Sequence, residues 1–94
     1  MERNFYLLVY DIANDKRRLK IAKACESVAE RVQYSVFEAY LTGGELQKLV
    51  KRTMKVMEKG EDSLRVYMIC ASCKAKVSIY GLGIVTPEPG VVIV

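Results

Sequence analysis

The sequence predicts an α+β sandwich: one sheet with two helices on a single face. Three observations carry this. Runs rich in β-forming residues lie at Asn4–Asp11, Arg31–Leu41 and Asp62–Cys70. Two segments between them place apolar residues at helical spacing. The 94 residues make a single domain spanning 1–94.

The first strand, Asn4–Asp11, is apolar on both faces, with Phe5, Leu7 and Val9 on one and Tyr6, Leu8 and Tyr10 on the other. Asn14 or Asp15 caps a helix expected from Lys16 to Ala29. Ile21, Ala22, Cys25, Val28 and Ala29 form its buried stripe. Arg31–Leu41 reads as one strand, with the phase of its faces open to a β-bulge. Thr42 followed by Glu45 is a capping-box pair, opening a helix from Gly44 to Glu58 that Gly60 stops. Leu46, Leu49, Val50, Thr53, Met54 and Met57 form its apolar stripe, beside a basic one of Lys48, Lys51, Arg52, Lys55 and Lys59. Asp62–Cys70 and Lys76–Gly81 are expected strands. Val91–Val94, after the prolines at 87 and 89, is expected as a last short strand. The preferred arrangement is a ferredoxin-like sandwich with four or five mixed strands, although that topology requires a hairpin between the helices.

Composition removes several function classes. The chain has no histidine, so Ser-His and Cys-His nucleophile pairs and histidine-rich metal sites are excluded. Its three cysteines, without a secretory signal, do not make a disulfide framework. Cys25 falls on the apolar side of a helix and is expected in the core. Cys70-Ala-Ser-Cys73 stands alone, without the second ligand pair a zinc site requires, and it closes a late strand instead of opening a helix. It is therefore expected to be structural, or at most an opportunistic disulfide. No apolar run approaches the ~20 residues that span a bilayer, and a cytoplasmic protein is expected. The net charge of +4 permits nucleic-acid binding without establishing it.

Asp11 closes an apolar strand face, where a carboxylate is costly unless it is paired, hydrogen-bonded or bound to metal. Capping the following helix is the alternative role. Two helices cover one face of a sheet, yet these strands are apolar on both, so a second copy of the chain is the natural cover. A two-fold axis then brings two Asp11 side chains together. They repel unless a proton or a divalent cation lies between them, and magnesium favours carboxylate oxygens completed by water.

Tyr10-Asp-Ile12, Asp15-Lys-Arg-Arg18 and Arg31-Val-Gln-Tyr-Ser-Val-Phe-Glu38 resemble the small CRISPR-associated nuclease family, the smaller partner of the spacer-integration complex. The likeness continues through Asp62-Ser-Leu-Arg-Val-Tyr67, the Cys-x-x-Cys and the Pro-Gly turn. It implies a ferredoxin-like homodimer, and Val91–Val94, an unpaired edge if left alone, is the short C-terminal strand expected to pair with the partner subunit. It implies Asp11 as catalytic residue and as ligand of a magnesium ion shared between the two copies. The activity implied is an endonuclease on single-stranded RNA, double-stranded DNA or both, acting in spacer acquisition for antiviral defence with a CRISPR integrase partner. The alternative is a non-catalytic dimeric scaffold that holds DNA between integrase dimers. An RNA-cleaving toxin-like protein of related fold is a third reading. Lys16, Arg17, Arg18 and Arg31 are the expected nucleic-acid contacts. Tyr10 and Phe37 serve activity or interface packing. The family's glycine two residues before Arg31 is Ala29 here, which bears on how the chain leaves its first helix.

Overall fold

The computed structural model describes residues 2–88. Strand β1 (Asn4–Asp11) leads through a short loop into α1 (Asp15–Glu26). A hairpin of β2 (Glu30–Gln33) and β3 (Val36–Leu41) precedes α2 (Gly43–Val56) and β4 (Ser63–Ile69), and one helical turn, α3 (Ala71–Lys74), follows. The sheet order is β2-β3-β1-β4.

The hairpin corrects the expectation of one long strand. Tyr34 and Ser35 turn the chain between β2 and β3, and the pairing slips between Arg31 and Gln33, which is the bulge the sequence left open. With the hairpin in place, the order βαββαβ is complete. All three strand pairings are antiparallel, so the sheet is not mixed. Lys76–Gly81 is not a strand. The helical turn of α3 continues as Lys76 N–H donates to the Cys73 carbonyl and Val77 N–H to that of Lys74. The chain then runs back past β3, where the Thr86 amide and hydroxyl donate to the Glu38 carboxylate at 3.0 and 2.8 Å. The expected strand Val91–Val94 lies outside the described residues.

The core lies between the sheet and the two long helices. Tyr6, Leu8 and Tyr10 of β1 and Phe37, Ala39 and Leu41 of β3 meet Ile21, Ala22 and Cys25 of α1 and Leu49 of α2. Phe37, Leu8 and Ile21 are fully buried, and each burial of this kind stabilises by about 1.5–3 kcal/mol. The caps follow from local chemistry. Asn14 Oδ1 accepts from the Arg17 amide, and Thr42 and Glu45 form the full capping box, which contributes about 1 kcal/mol. Helix α1 ends at Glu26, short of Ala29, and Val28 is exposed rather than buried. No non-glycine residue among those described has a positive φ, so the exit from α1 needs no left-handed residue and Ala29 fits it. Met54 also departs from its expected place in the stripe and faces solvent.

Coverage of the sheet is unequal. α1 packs on α2 and β2, and α2 packs on β3. β4 is an edge without a helix over it, so Met68 on its helix side is 64% exposed and Tyr67 on its open side 45%. Phe5 and Tyr40 on the open face are covered by Lys74 of α3, whose Nζ lies 5.1 and 4.4 Å from their ring centres.

Candidate metal and nucleic-acid site

The end of β1 is held in place by the residue before the carboxylate. Tyr10 is buried, its amide donates to the Ser35 carbonyl at 3.1 Å, and its hydroxyl donates to the Tyr34 carbonyl at 3.4 Å. Its ring stacks on Phe37 at 6.1 Å. Burial pushes the Tyr10 phenol above its usual range, against the lowering pull of Arg31, so it remains a protonated anchor and not a base at neutral pH. Alternation then carries Asp11 to the open face of the sheet, opposite Ser63 of β4, where it is exposed. Asp11 takes part in no ion pair among the described residues.

The loop after Asp11 is fixed from both sides. Arg18 donates to the Ile12 carbonyl through Nε (3.2 Å) and Nη2 (2.8 Å), and through Nη1 to Asp15 at 2.6 Å. The Ala13 amide donates to Asp62 Oδ1 at 3.0 Å. Asp62 Oδ2 accepts from the Glu58 amide and from Arg17 Nε, both at 2.8 Å. Arg17 Nη2 reaches Asp62 Oδ1 at 3.3 Å and Glu61 at 2.9 Å. The Asp62 side chain is wholly buried. The Arg17 guanidinium, then the backbone amides, hold its carboxyl far below the usual carboxylate range.

The structure therefore divides the expected site residues. Tyr10, Asp11, Arg18 and Arg31 line one open cleft of about 460 Å³, together with Asp15 and Tyr34. Arg31 bonds Glu26 at 3.0 Å and lies 5.2 Å above the Phe37 ring. Phe37 itself is fully buried in the core and does not line the cleft. Lys16 is exposed at the start of α1, outside the cleft, while the Arg17 head group is committed to Asp62 and Glu61. Sequence reasoning missed Asp62 and the Tyr34–Ser35 turn. Its one signal for Asp62 was an acidic residue just after Gly60 and ahead of a strand, which does not reveal an arginine 45 positions away.

Asp11 offers hard, solvent-facing oxygens, the donor type magnesium takes. One copy supplies one free carboxylate, because Asp15 is held by Arg18 and no group of three or more metal-ligating side chains exists among the described residues. The donors thus suit magnesium where a second copy contributes its own Asp11.

The fold and cleft define a small ferredoxin-like protein with a carboxylate at the end of its first strand and arginines beside it. A family model described as CRISPR associated protein Cas2 matches residues 4–77. The chain is 43% identical to CRISPR-associated endoribonuclease Cas2 3 of Synechocystis sp., over 95% of this chain and 97% of that one. It is 39% identical to CRISPR-associated endonuclease Cas2 2 of Thermus thermophilus, over 88% of each. The crystal structure of Streptococcus pyogenes Cas2 superposes with a TM-score of 0.72 at 29% identity, covering 82% of this chain and 99% of that one. The chain belongs to the CRISPR-associated Cas2 family.

Proposed function

We propose that the protein is a magnesium-dependent endonuclease that acts as a homodimer in CRISPR spacer acquisition, with an integrase subunit as partner. The observation that carries this is the free, exposed Asp11 on a rigidly anchored strand end, next to arginines that suit phosphate. The exposed apolar residues on both sides of β4 support a second copy as cover. The nuclease names of its relatives support the reaction class.

Asp11 from each copy would hold the ion, which would supply Lewis-acid polarisation of a phosphoryl oxygen and a more acidic water. Arg18 and Arg31 place the phosphodiester by charge, and Tyr10 keeps the strand end from shifting. The basic face of α2, with Lys48, Lys51, Arg52 and Lys55 exposed and Lys59 exposed just beyond the helix, suits a nucleic-acid backbone without reading sequence. No helix of the described residues is long and apolar enough to cross a membrane, and the cytoplasm is the proposed compartment.

One observation favours the scaffold alternative. The cleft holds one free carboxylate per copy and no side chain suited to act as a base near neutral pH, which is sparse equipment for hydrolysis. The discriminating experiment measures cleavage of labelled single-stranded RNA and double-stranded DNA by the parent and Asp11→Ala, with magnesium and with EDTA. Light scattering first establishes that both are dimers. Cleavage that requires both Asp11 and magnesium is expected. Cleavage indifferent to Asp11, or none, removes the nuclease reading, and retained DNA binding then leaves the scaffold.

A further inference from the structure

The Cys70–Cys73 pair plays no part in the site at the end of β1, and it does more than close a strand. Both residues are exposed and both thiols are free. The pair does open a helix: Cys70 is the extended N-cap residue of α3, directly after β4, and Cys73 lies in the same single turn. The Cys70 Sγ lies 3.2 Å from Ser72 Oγ. The three cysteines are thus chemically unlike. Cys25 is buried and its thiol is pushed up to about 11 by desolvation, which leaves it inert. The Cys70 thiol is drawn down to about 7, first by the Ser72 hydroxyl, then by the amide and thiol of Cys73. Cys73 is raised by its neighbour Cys70. The turn therefore favours ionisation of Cys70 over that of Cys73. Where disulfides do occur in a reducing compartment, they are usually redox-active and seldom structural.

We propose that Cys70 and Cys73 form a reversible thiol–disulfide exchange site whose co-reactant is a small-molecule disulfide of the glutathione type. The Cys70 thiolate attacks one sulfur of that disulfide, forming a mixed disulfide and expelling one thiolate. Cys73 then loses its proton to solvent and attacks the Cys70 sulfur. The Cys70–Cys73 bond forms, the mixed disulfide breaks and a second thiolate leaves. Two protein thiols are oxidised by two electrons and one external disulfide is reduced to two thiols. The ring closes over the turn by which β4 hands the chain to residues 76–88. In the same turn Lys74 covers Phe5 and Tyr40.

The test uses the full chain in buffers of varied reduced-to-oxidised glutathione ratio, quenched in acid, alkylated and read by intact mass and peptide mapping. The expected product is an internal Cys70–Cys73 disulfide that fills as the buffer becomes oxidising and empties on return. Cys73→Ser stops at a single glutathione adduct on Cys70. In the reduced parent at pH 7, iodoacetamide labels Cys70 several-fold faster than Cys73, because its larger thiolate fraction outweighs its lower intrinsic nucleophilicity. Equal labelling of the two residues overturns the proposal. So does glutathione on both without an internal bond at any ratio.

Discussion

Asp11 and Asp62 sit almost side by side, since Asp11 is the register partner of Ser63, yet the fold treats them in opposite ways. Asp62 has its side chain wholly buried and spends both oxygens on the Ala13 and Glu58 amides and the Arg17 guanidinium. Asp11 is exposed and enters no ion pair among the described residues. The contrast shows that acceptor capacity, more than charge, marks a carboxylate available for chemistry. The two are also linked. Asp62 fixes the amide of Ala13, two residues past Asp11, so the spent carboxylate steadies the free one.

The strongest test of this contrast is a matched pair of substitutions. Asp11→Asn is expected to reduce magnesium-dependent cleavage by about 100-fold or more, since even residues behind a metal ligand cost 10–100-fold. Its melting temperature should equal the parent's. Asp62→Ala is expected to lower the melting temperature by several degrees, because it leaves the Ala13 and Glu58 amides without their acceptor and Arg17 with Glu61 alone. Equal effects of both substitutions on both readouts would erase the distinction. Acid sharpens it further. The folded carboxyl of Asp62 titrates below its unfolded value of about 3.9, so its contribution is fully present above that pH. It is lost as the pH falls toward the folded value. Melting temperature should therefore drop as pH falls below about 4, and Asp62→Asn should flatten that slope. An unchanged slope in Asp62→Asn would mean another group sets the acid limit.

The legible parts of the molecule were those with a strong local signal. β1 ran over Asn4–Asp11 as its unbroken run of β-forming apolar residues required, and the capping box at Thr42 and Glu45 formed as written. The hairpin was hidden because Tyr34-Ser35 carries none of the Gly, Asn or Asp chemistry that announces a two-residue turn. Lys76–Gly81 alternates like a strand, but the turn of α3 carries its start away from the sheet. Asp11 was singled out by its place at the end of an apolar strand together with the family resemblance, and it stands exposed on the open face. Nothing local separated Arg17 from Lys16 and Arg18, because what distinguishes it is an acidic residue brought from beyond α2. Ion pairs across 45 positions leave no periodicity to read. The helical turn that the Cys-x-x-Cys opens was hidden for a similar reason, since α3 is too short to show a helical pattern.

The smallest expected effect separates the adjacent cations and extends the same contrast to positive charge. Lys16 is exposed and enters no ion pair among the described residues, whereas Arg17 is tied to Asp62 and Glu61. If Lys16 touches one phosphate, Lys16→Ala removes one released counterion. The slope of log affinity against log salt should then become shallower by about 0.7–0.9, with melting unchanged. Arg17→Ala should do the reverse, leaving the salt slope alone and lowering the melting temperature by unpairing Asp62. Fluorescence anisotropy on a short labelled duplex and on single-stranded RNA, at several salt concentrations, measures both variants against the parent. A salt slope that moves with Arg17 and not with Lys16 would show that the Asp62 pair opens on binding, making Arg17 a nucleic-acid contact after all.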